Sequence, residues 1–200
     1  GFLAGFTADK RKKARRERRR VAEEGIVFRT VHGRDATAAE VLAAWRLHRS
    51  TFLRRGQEPY LGLDCFRALA RDMGDSLLFK FAERGGAIVA VAVFFVGGDT
   101  LYGRYWGAAD DFHSLHFETC YHHGIEYCIE RGLARFEPGT QGEHKVARGF
   151  VPEFTHSAHR IADPRFRRAI ADYLRAEAEA VGGYAQAIGE HVPYRRELEP

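Results

Sequence analysis

Cysteine is scarce and poorly placed for a framework. Cys65, Cys120 and Cys128 are odd in number and lack C-x-x-C spacing. That excludes a disulfide scaffold and reads as buried, reduced thiols in a cytoplasmic protein. Long apolar runs are missing too. A membrane helix needs roughly 18 residues, whereas "GAIVAVAVFFV" has eleven, which fits a buried strand. No secretory leader is visible. "GFLAGF" is too short for an apolar core and precedes the charges rather than following them. No H-E-x-x-H occurs among the ten histidines. Adjacent His122 and His123 would point about 100° apart on a helix, so no metal site is expected. Internal repeats are absent. The chain opens at Gly1 rather than Met, as a piece cut from a longer protein would.

What is present is a globular composition. Of 200 residues, 45% are hydrophobic and 12% aromatic, enough to bury a core. The positive charge is concentrated in "KRKKARRERRR", Lys10 to Arg20. It holds nine Lys or Arg against one Glu, a net +8, while the whole chain is +4, so the other 189 residues sum to −4. An acidic remainder argues against a general nucleic-acid-binding domain. No Pro or Gly interrupts Lys10 to Glu24, and Gly25 is a good stop, so the run reads as a helix. Cations at its N-terminal half and Glu23 and Glu24 at its end both oppose the helix dipole. The cations therefore point to a ligand or partner, and Arg11, Arg15, Arg16 and Arg19 are candidate anion-binding residues. Residues 1–25 form a basic helical segment and 26–200 the main lobe.

"IVFRTV" alternates as a strand. "TAAE", Thr37 to Glu40, is a capping box opening a helix with Val41, Trp45, His48 and Phe52 on one face. "DCFRALARDM" gives a second helix with Phe66, Leu69 and Met73 inward. "SLLFKFAER", "AIVAVAVFFV" and "TLYGRYWG" are three hairpin-joined strands, the second apolar on both faces and so central. In the third, alternation sets Leu101, Gly103 and Tyr105 against Tyr102, Arg104 and Trp106. A helix from about Ser114 to Arg131 has Phe117, Cys120, Tyr121, Gly124 and Cys128 inward. "LARFEPG" is a short strand, "QGEHKVARGF" a loop or single helical turn, and "EFTHSAHRI" another strand. Asp163 caps a last helix with Pro164 at its first position, Phe166, Ile170, Tyr173 and Val181 along it, and Gly182–Gly183 at its end. The expected class is α/β with α+β character: a mixed sheet with helices on both faces.

That element order resembles the GNAT acyltransferase fold. "KRKKARRERRRVAEEGIVFRTV" resembles the opening of the second domain in FemAB-like aminoacyl transferases. The stretch from "GGDTLYGRYWG" to "IADYL" is similar to a bacterial N-acyltransferase family named for peptidoglycan biosynthesis/recognition. The resemblance covers nearly the whole chain, and 136–159 is its most specific part. Its members carry two tandem lobes, so the chain resembles the C-terminal lobe, with an N-terminal lobe of the same protein as the implied partner.

The resemblance implies an N-acyltransferase joining an activated acyl group to an amine, small molecule or peptide, such as a cell-wall precursor. In the fold's ordinary acetyltransferases, a glycine-patterned loop after the fourth strand binds the pyrophosphate of acetyl-CoA. Here "GAADDFHSL" lacks that pattern and carries Asp110 and Asp111. The donor is therefore left between acyl-CoA and aminoacyl-tRNA, with tRNA as a further partner. The Fem pattern of an aromatic–Lys pair followed by Gly-Phe is matched by His144–Lys145 and Gly149–Phe150, with His replacing the aromatic. Lys145 would stabilise the tetrahedral oxyanion. His144 or Glu137 would take the amine proton, and Glu137 could instead hold the amine. Arg104, Tyr105, Trp106, Glu118 and Gln141 are candidate substrate-binding residues. Glu118 sits at i,i+4 with His122, and Arg104 is expected beside Trp106. The rival reading is a non-catalytic recognition module for an anionic glycan or nucleotide-sugar.

Overall fold

A computed structural model of the chain describes residues 1–139 and 142–195. They divide into two compact units: Lys13–Gln141, and Gly1–Lys12 with Gly142–Pro200.

The Lys13–Gln141 unit is built on one five-stranded sheet: β1 (Ile26–His32), β2 (Leu77–Arg84), β3 (Ala87–Gly97), β4 (Thr100–Ala108) and β5 (Arg135–Glu137), in that spatial order. The first three pairings are antiparallel and β4–β5 is parallel, so the sheet is mixed. β3 is central, as its two apolar faces require. α2 (Ala38–Leu53) and α3 (Leu63–Met73) cover one face. There Val41, Ala44, Leu47, Phe66 and Ala70 pack on Val31, Phe79, Phe81, Val91 and Val93. Each large side chain fully buried this way contributes about 1.5–3 kcal/mol of transfer free energy. On the other face Val21, Ile26, Ala82, Ala90, Ala108 and Leu115 form a second cluster. Val21 belongs to α1 (Ala8–Glu23), the basic helix, which Gly25 ends at φ 70°. The expected architecture of helices on both sheet faces is therefore observed.

Thr37 forms the full capping box: its hydroxyl accepts from Glu40 N, and Glu40 returns to the Thr37 backbone N–H at 2.7 Å. α2 approaches β4 so closely that a Cβ on Gly107 would lie 2.2 Å from the Leu47 carbonyl. The helix after β4 is not regular. α4 (Leu115–Phe117) passes into a π-turn over Glu118–His122 before α5 (His123–Arg131). Its inner residues Cys120, Tyr121, Gly124 and Cys128 are buried as expected. The three cysteines are free, and burial pushes the Cys128 thiol up to about 11, which makes it inert.

The second unit gathers Phe2, Phe6 and Tyr194 in edge-to-face contact, with a β-bridge from Phe6 to Tyr194. It carries 3₁₀ turns at Phe2–Gly5 and Glu143–Arg148, and its helix α6 is Pro164–Gly189, capped by Asp163 as expected.

Three expectations fail. Residues 153–161 form no strand, because alternation alone does not make one and pairing needs a neighbour. α6 runs through Gly182–Gly183 to Gly189, since two glycines at about 1 kcal/mol each do not stop a helix otherwise rich in Ala and Arg. Met73 is exposed, lying at the last position of α3 beside Gly74. Among the described residues, no helix is long and apolar enough to cross a membrane.

Candidate functional site

The first candidate locus is the opening between β4 and β5. The two strands pair only at Thr100–Tyr102 against Arg135–Glu137, while β4 continues to Ala108. The ladder stops at Pro138, which has no N–H to give. Beyond the last pair, Val93 faces Tyr105 while Phe94 faces Gly103. Arg104 is the extra residue of a β-bulge, so alternation breaks there. Arg104 therefore does not share a side with Trp106. Its guanidinium lies 5.4 Å from the Tyr105 ring centroid, and Tyr105 Oη is 3.1 Å from Tyr60 Oη. Tyr105 also packs on buried His48 at 4.7 Å. Burial first, then Tyr60, raises the Tyr105 pKa despite Arg104. Trp106 sits on the opposite face, packed with the α1-side cluster and 5.3 Å from His116.

The edge of β4 past this opening is partly occupied. Ala109 N donates to Val89 O, so Gly107 and Tyr105 share its hydrogen-bonding side, and the Trp106 and Ala108 carbonyls point outward. Thr51 Oγ1 donates to Trp106 O at 3.1 Å. Ser50 Oγ and both Arg54 terminal nitrogens donate to Ala108 O at 3.1–3.2 Å. A ligand adding to this edge as a strand finds those acceptors taken. In the loop that follows, Asp110 Oδ1 accepts from Asp111 N, and both residues are exposed.

The second locus surrounds Glu118. The π-turn substitutes i→i+5 for i→i+4 geometry. Glu118 consequently meets His123, with Nε2 3.5 Å from its Oε1, rather than the expected His122. Glu118 is 5% exposed, and its π-turn packs on β2 and β3 in mid-sheet. Arg18, which sequence reasoning missed, donates Nε to Glu118 Oε1 at 2.9 Å and Nη1 to Glu126 Oε1 at 2.6 Å. A signal existed: Arg18 is four residues after Ala14 and three before Val21, the two buried residues of α1. His123 Nδ1 lies 3.3 Å from Glu126 Oε2, and its ring packs at a tilt on Phe28, with centroids 4.1 Å apart. Burial holds Glu118 above the usual carboxylate range despite Arg18. Hydrogen bonds from His123 and Arg18 pull Glu126 down to about 2.

A cleft of about 530 Å³ opens here, between Arg15, Arg18 and Arg19 of α1, Ile26 and Phe28 of β1, and Glu118 with His123. Of the expected anion-binding set, Arg15 and Arg19 line it. Arg16 is exposed and not part of the lining, and Arg11 donates to Phe6 O. Among the described residues no group of His, Cys, Asp and Glu is placed to hold a metal ion.

The remaining expected residues are described within their own units. Glu137 ends β5, opposite Tyr102, and is exposed. His144 and Lys145 lie on the 3₁₀ turn, where Lys145 N donates to Gly142 O and Arg148 Nη1 to His144 O. Gly142 sits at φ 113°, a conformation L side chains rarely adopt, which favours glycine there. Partial burial, then the Arg148 and Lys145 charges, lower the His144 pKa, favouring the neutral ring at pH 7. Gln141 lies outside the described residues.

A mixed sheet with helices on both faces is the architecture implied by the sequence resemblance, and here it has five strands. The chain belongs to the FemAB-like family, described as peptidoglycan biosynthesis/recognition, which matches residues 1–196. No curated protein matches the sequence. Similar solved structures include an aminoglycoside N-acetyltransferase in complex with CoA, 13% identical over 69% of this chain and 95% of that one, with a TM-score of 0.47. Another is a ribosomal-protein-alanine N-acetyltransferase from Brucella melitensis, 12% identical over 69% and 99%, TM-score 0.46. A third is a diaminobutyrate acetyltransferase from Paenibacillus lautus, bound to its diamine substrate and CoA, 22% identical over 54% and 55%, TM-score 0.32.

Proposed function

We propose that this chain carries an N-acyltransferase activity, forming an amide between an activated acyl donor and an amine of a cell-wall precursor. The observation that carries the reading is the β4–β5 opening. There the ladder ends at Pro138 and a bulge turns Arg104 and Tyr105 toward Tyr60. Family membership supports the cell-wall context. In the reaction the ammonium loses a proton to become the free amine, which attacks the acyl carbonyl and gives up a second proton. The tetrahedral oxyanion then collapses, breaking the bond to the carrier, whose oxygen or sulfur leaves with one of those protons. Lys145 is assigned to the oxyanion, neutral His144 to the amine proton, and Glu137 to holding the ammonium form before attack. The occupied outer edge of β4 and the exposed Asp110 and Asp111 favour a donor other than acetyl-CoA. Aminoacyl-tRNA is the donor we assign.

The test is amide formation on an amine-bearing cell-wall precursor, read by mass spectrometry, with charged tRNA and acetyl-CoA compared as donors. Product from charged tRNA supports the reading. Product from neither overturns it and favours a recognition module. Low-micromolar affinity for acetyl-CoA overturns the donor assignment. Lys145→Ala should cut turnover about 10²–10³-fold with folding intact, and Lys145→Arg should restore only part. Full activity in Lys145→Ala would remove the lysine from the mechanism.

A further inference from the structure

The cleft beside Glu118 holds polar atoms that the fold leaves unsatisfied. The Glu118 side chain is 6% exposed, and among the described residues its Oε2 has no hydrogen-bond partner. His123 Nε2, on the same cleft, lies 3.5 Å from Glu118 Oε1 and makes no hydrogen bond among the described residues. Leaving a buried polar group without a partner is costly, so a stable fold normally provides one. Arg18 donates to Glu118 Oε1 and to Glu126, and not to Oε2. At the rim stand Arg15 and Arg19, one helical turn apart on α1, exposed and in no ion pair among the described residues. Phe28, Ile26 and Val21 give the wall an apolar part.

We propose that this cleft binds a small phosphorylated sugar or amino sugar. Its phosphate is held by Arg15 and Arg19, and a hydroxyl or ammonium group donates to Glu118 Oε2. Guanidinium forks suit phosphate, a buried carboxylate oxygen needs a donor, and about 530 Å³ suits one sugar ring with its phosphate. A bare anion would leave Oε2 unsatisfied and meet its charge, and a neutral sugar would leave the two arginines idle. Among ligands of this size, only one carrying both groups answers both features. The cleft is bordered by β1, three strand spacings or about 15 Å from β4. The inference goes beyond the acyl-transfer reading, and its test is a binding measurement that does not depend on turnover.

Titration calorimetry of the whole chain at low salt should compare glucosamine 6-phosphate, glucosamine and inorganic phosphate. Glucosamine 6-phosphate should bind saturably and more tightly than either fragment. Arg15→Ala/Arg19→Ala should weaken it about tenfold or more. Glu118→Gln should weaken glucosamine 6-phosphate several-fold while leaving inorganic phosphate unchanged. No saturable binding would overturn the proposal and leave the cleft to water. Equal loss of phosphate and sugar phosphate in Glu118→Gln would also overturn it, since the carboxylate would then only position Arg18. If Glu118→Gln unfolds, the exposed arginine pair still decides. Unchanged binding there refutes the site, and a tenfold loss for glucosamine 6-phosphate, with glucosamine binding no better than in the unaltered chain, supports it.

Discussion

α2 and α6 look alike in sequence and behave differently in the structure. Each opens with a side-chain cap, Thr37 and Asp163, and each carries large apolar residues at helical spacing. α2 buries Val41, Ala44, Leu47 and His48 against the sheet, whereas α6 has no buried residue along its 26. Phe166 and Tyr173 are 64% and 65% exposed. Periodicity identifies which face of a helix is apolar, but an opposing surface must be built to cover it. For α2 that surface is made by a glycine, Gly107, and by β4 carbonyls that receive Ser50, Thr51 and Arg54.

The comparison breaks most visibly at the α2 contact. Leu47→Ala should cost about 2–5 kcal/mol, the range for truncating a buried leucine, read from urea unfolding. Gly107→Ala attacks the same contact from the other side. Its Cβ meets backbone rather than a movable side chain, so a loss of about 1–3 kcal/mol or more is expected. Neutral behaviour in both would show that α2 is not held as described. Thr37→Ala should be milder, about 1 kcal/mol, and Thr37→Ser should restore most of it by keeping the oxygen that accepts from Glu40 N.

Much of this fold is legible in the sequence. β3 announces its central position by being apolar on both faces, and the capping box places α2 to the residue. What is not legible is the change of period inside an element. Nothing in "TLYGRYWG" marks Arg104 as the extra residue of a bulge, and a single insertion reverses every side chain after it. The π-turn does the same to the helix, moving Glu118 from His122 to His123. At the candidate site, the basic run is plainly visible, but only the spacing Ala14–Arg18–Val21 tells which cation turns inward. The 153–161 stretch errs in the opposite direction: it alternates well and pairs with nothing.

The charged centre beside α1 allows a smaller, pH-resolved test. Glu126, lowered from 4.5 to about 2, contributes stability that is present above its unfolded value and lost as pH falls through 2. Glu118 has the opposite sign. Its raised pKa gives stability present below its unfolded value and lost as pH rises through the folded one. Glu126→Gln should therefore flatten the acid limb between about pH 4.5 and 2, by less than about 1 kcal/mol because the side chain is partly solvated. Glu118→Gln should remove the opposite slope at the higher end. If Glu126→Gln leaves the acid limb unchanged, the Arg18–Glu126–His123 arrangement does not hold in solution.

The smallest expected effect sharpens the comparison most. Phe166→Ser and Tyr173→Ser remove two large apolar side chains from α6, yet both are well exposed. Such substitutions ordinarily change stability by no more than about 0.5 kcal/mol. The paired measurement is Leu47→Ala, an apolar residue at helical spacing in α2 with a cost several times larger. A ratio of that size would establish that the two helices differ in cover and not in pattern. If Phe166→Ser/Tyr173→Ser instead lowers stability by as much as Leu47→Ala, the α6 stripe is packed in solution. α6 would then belong with α2 as a helix whose periodicity reports its burial.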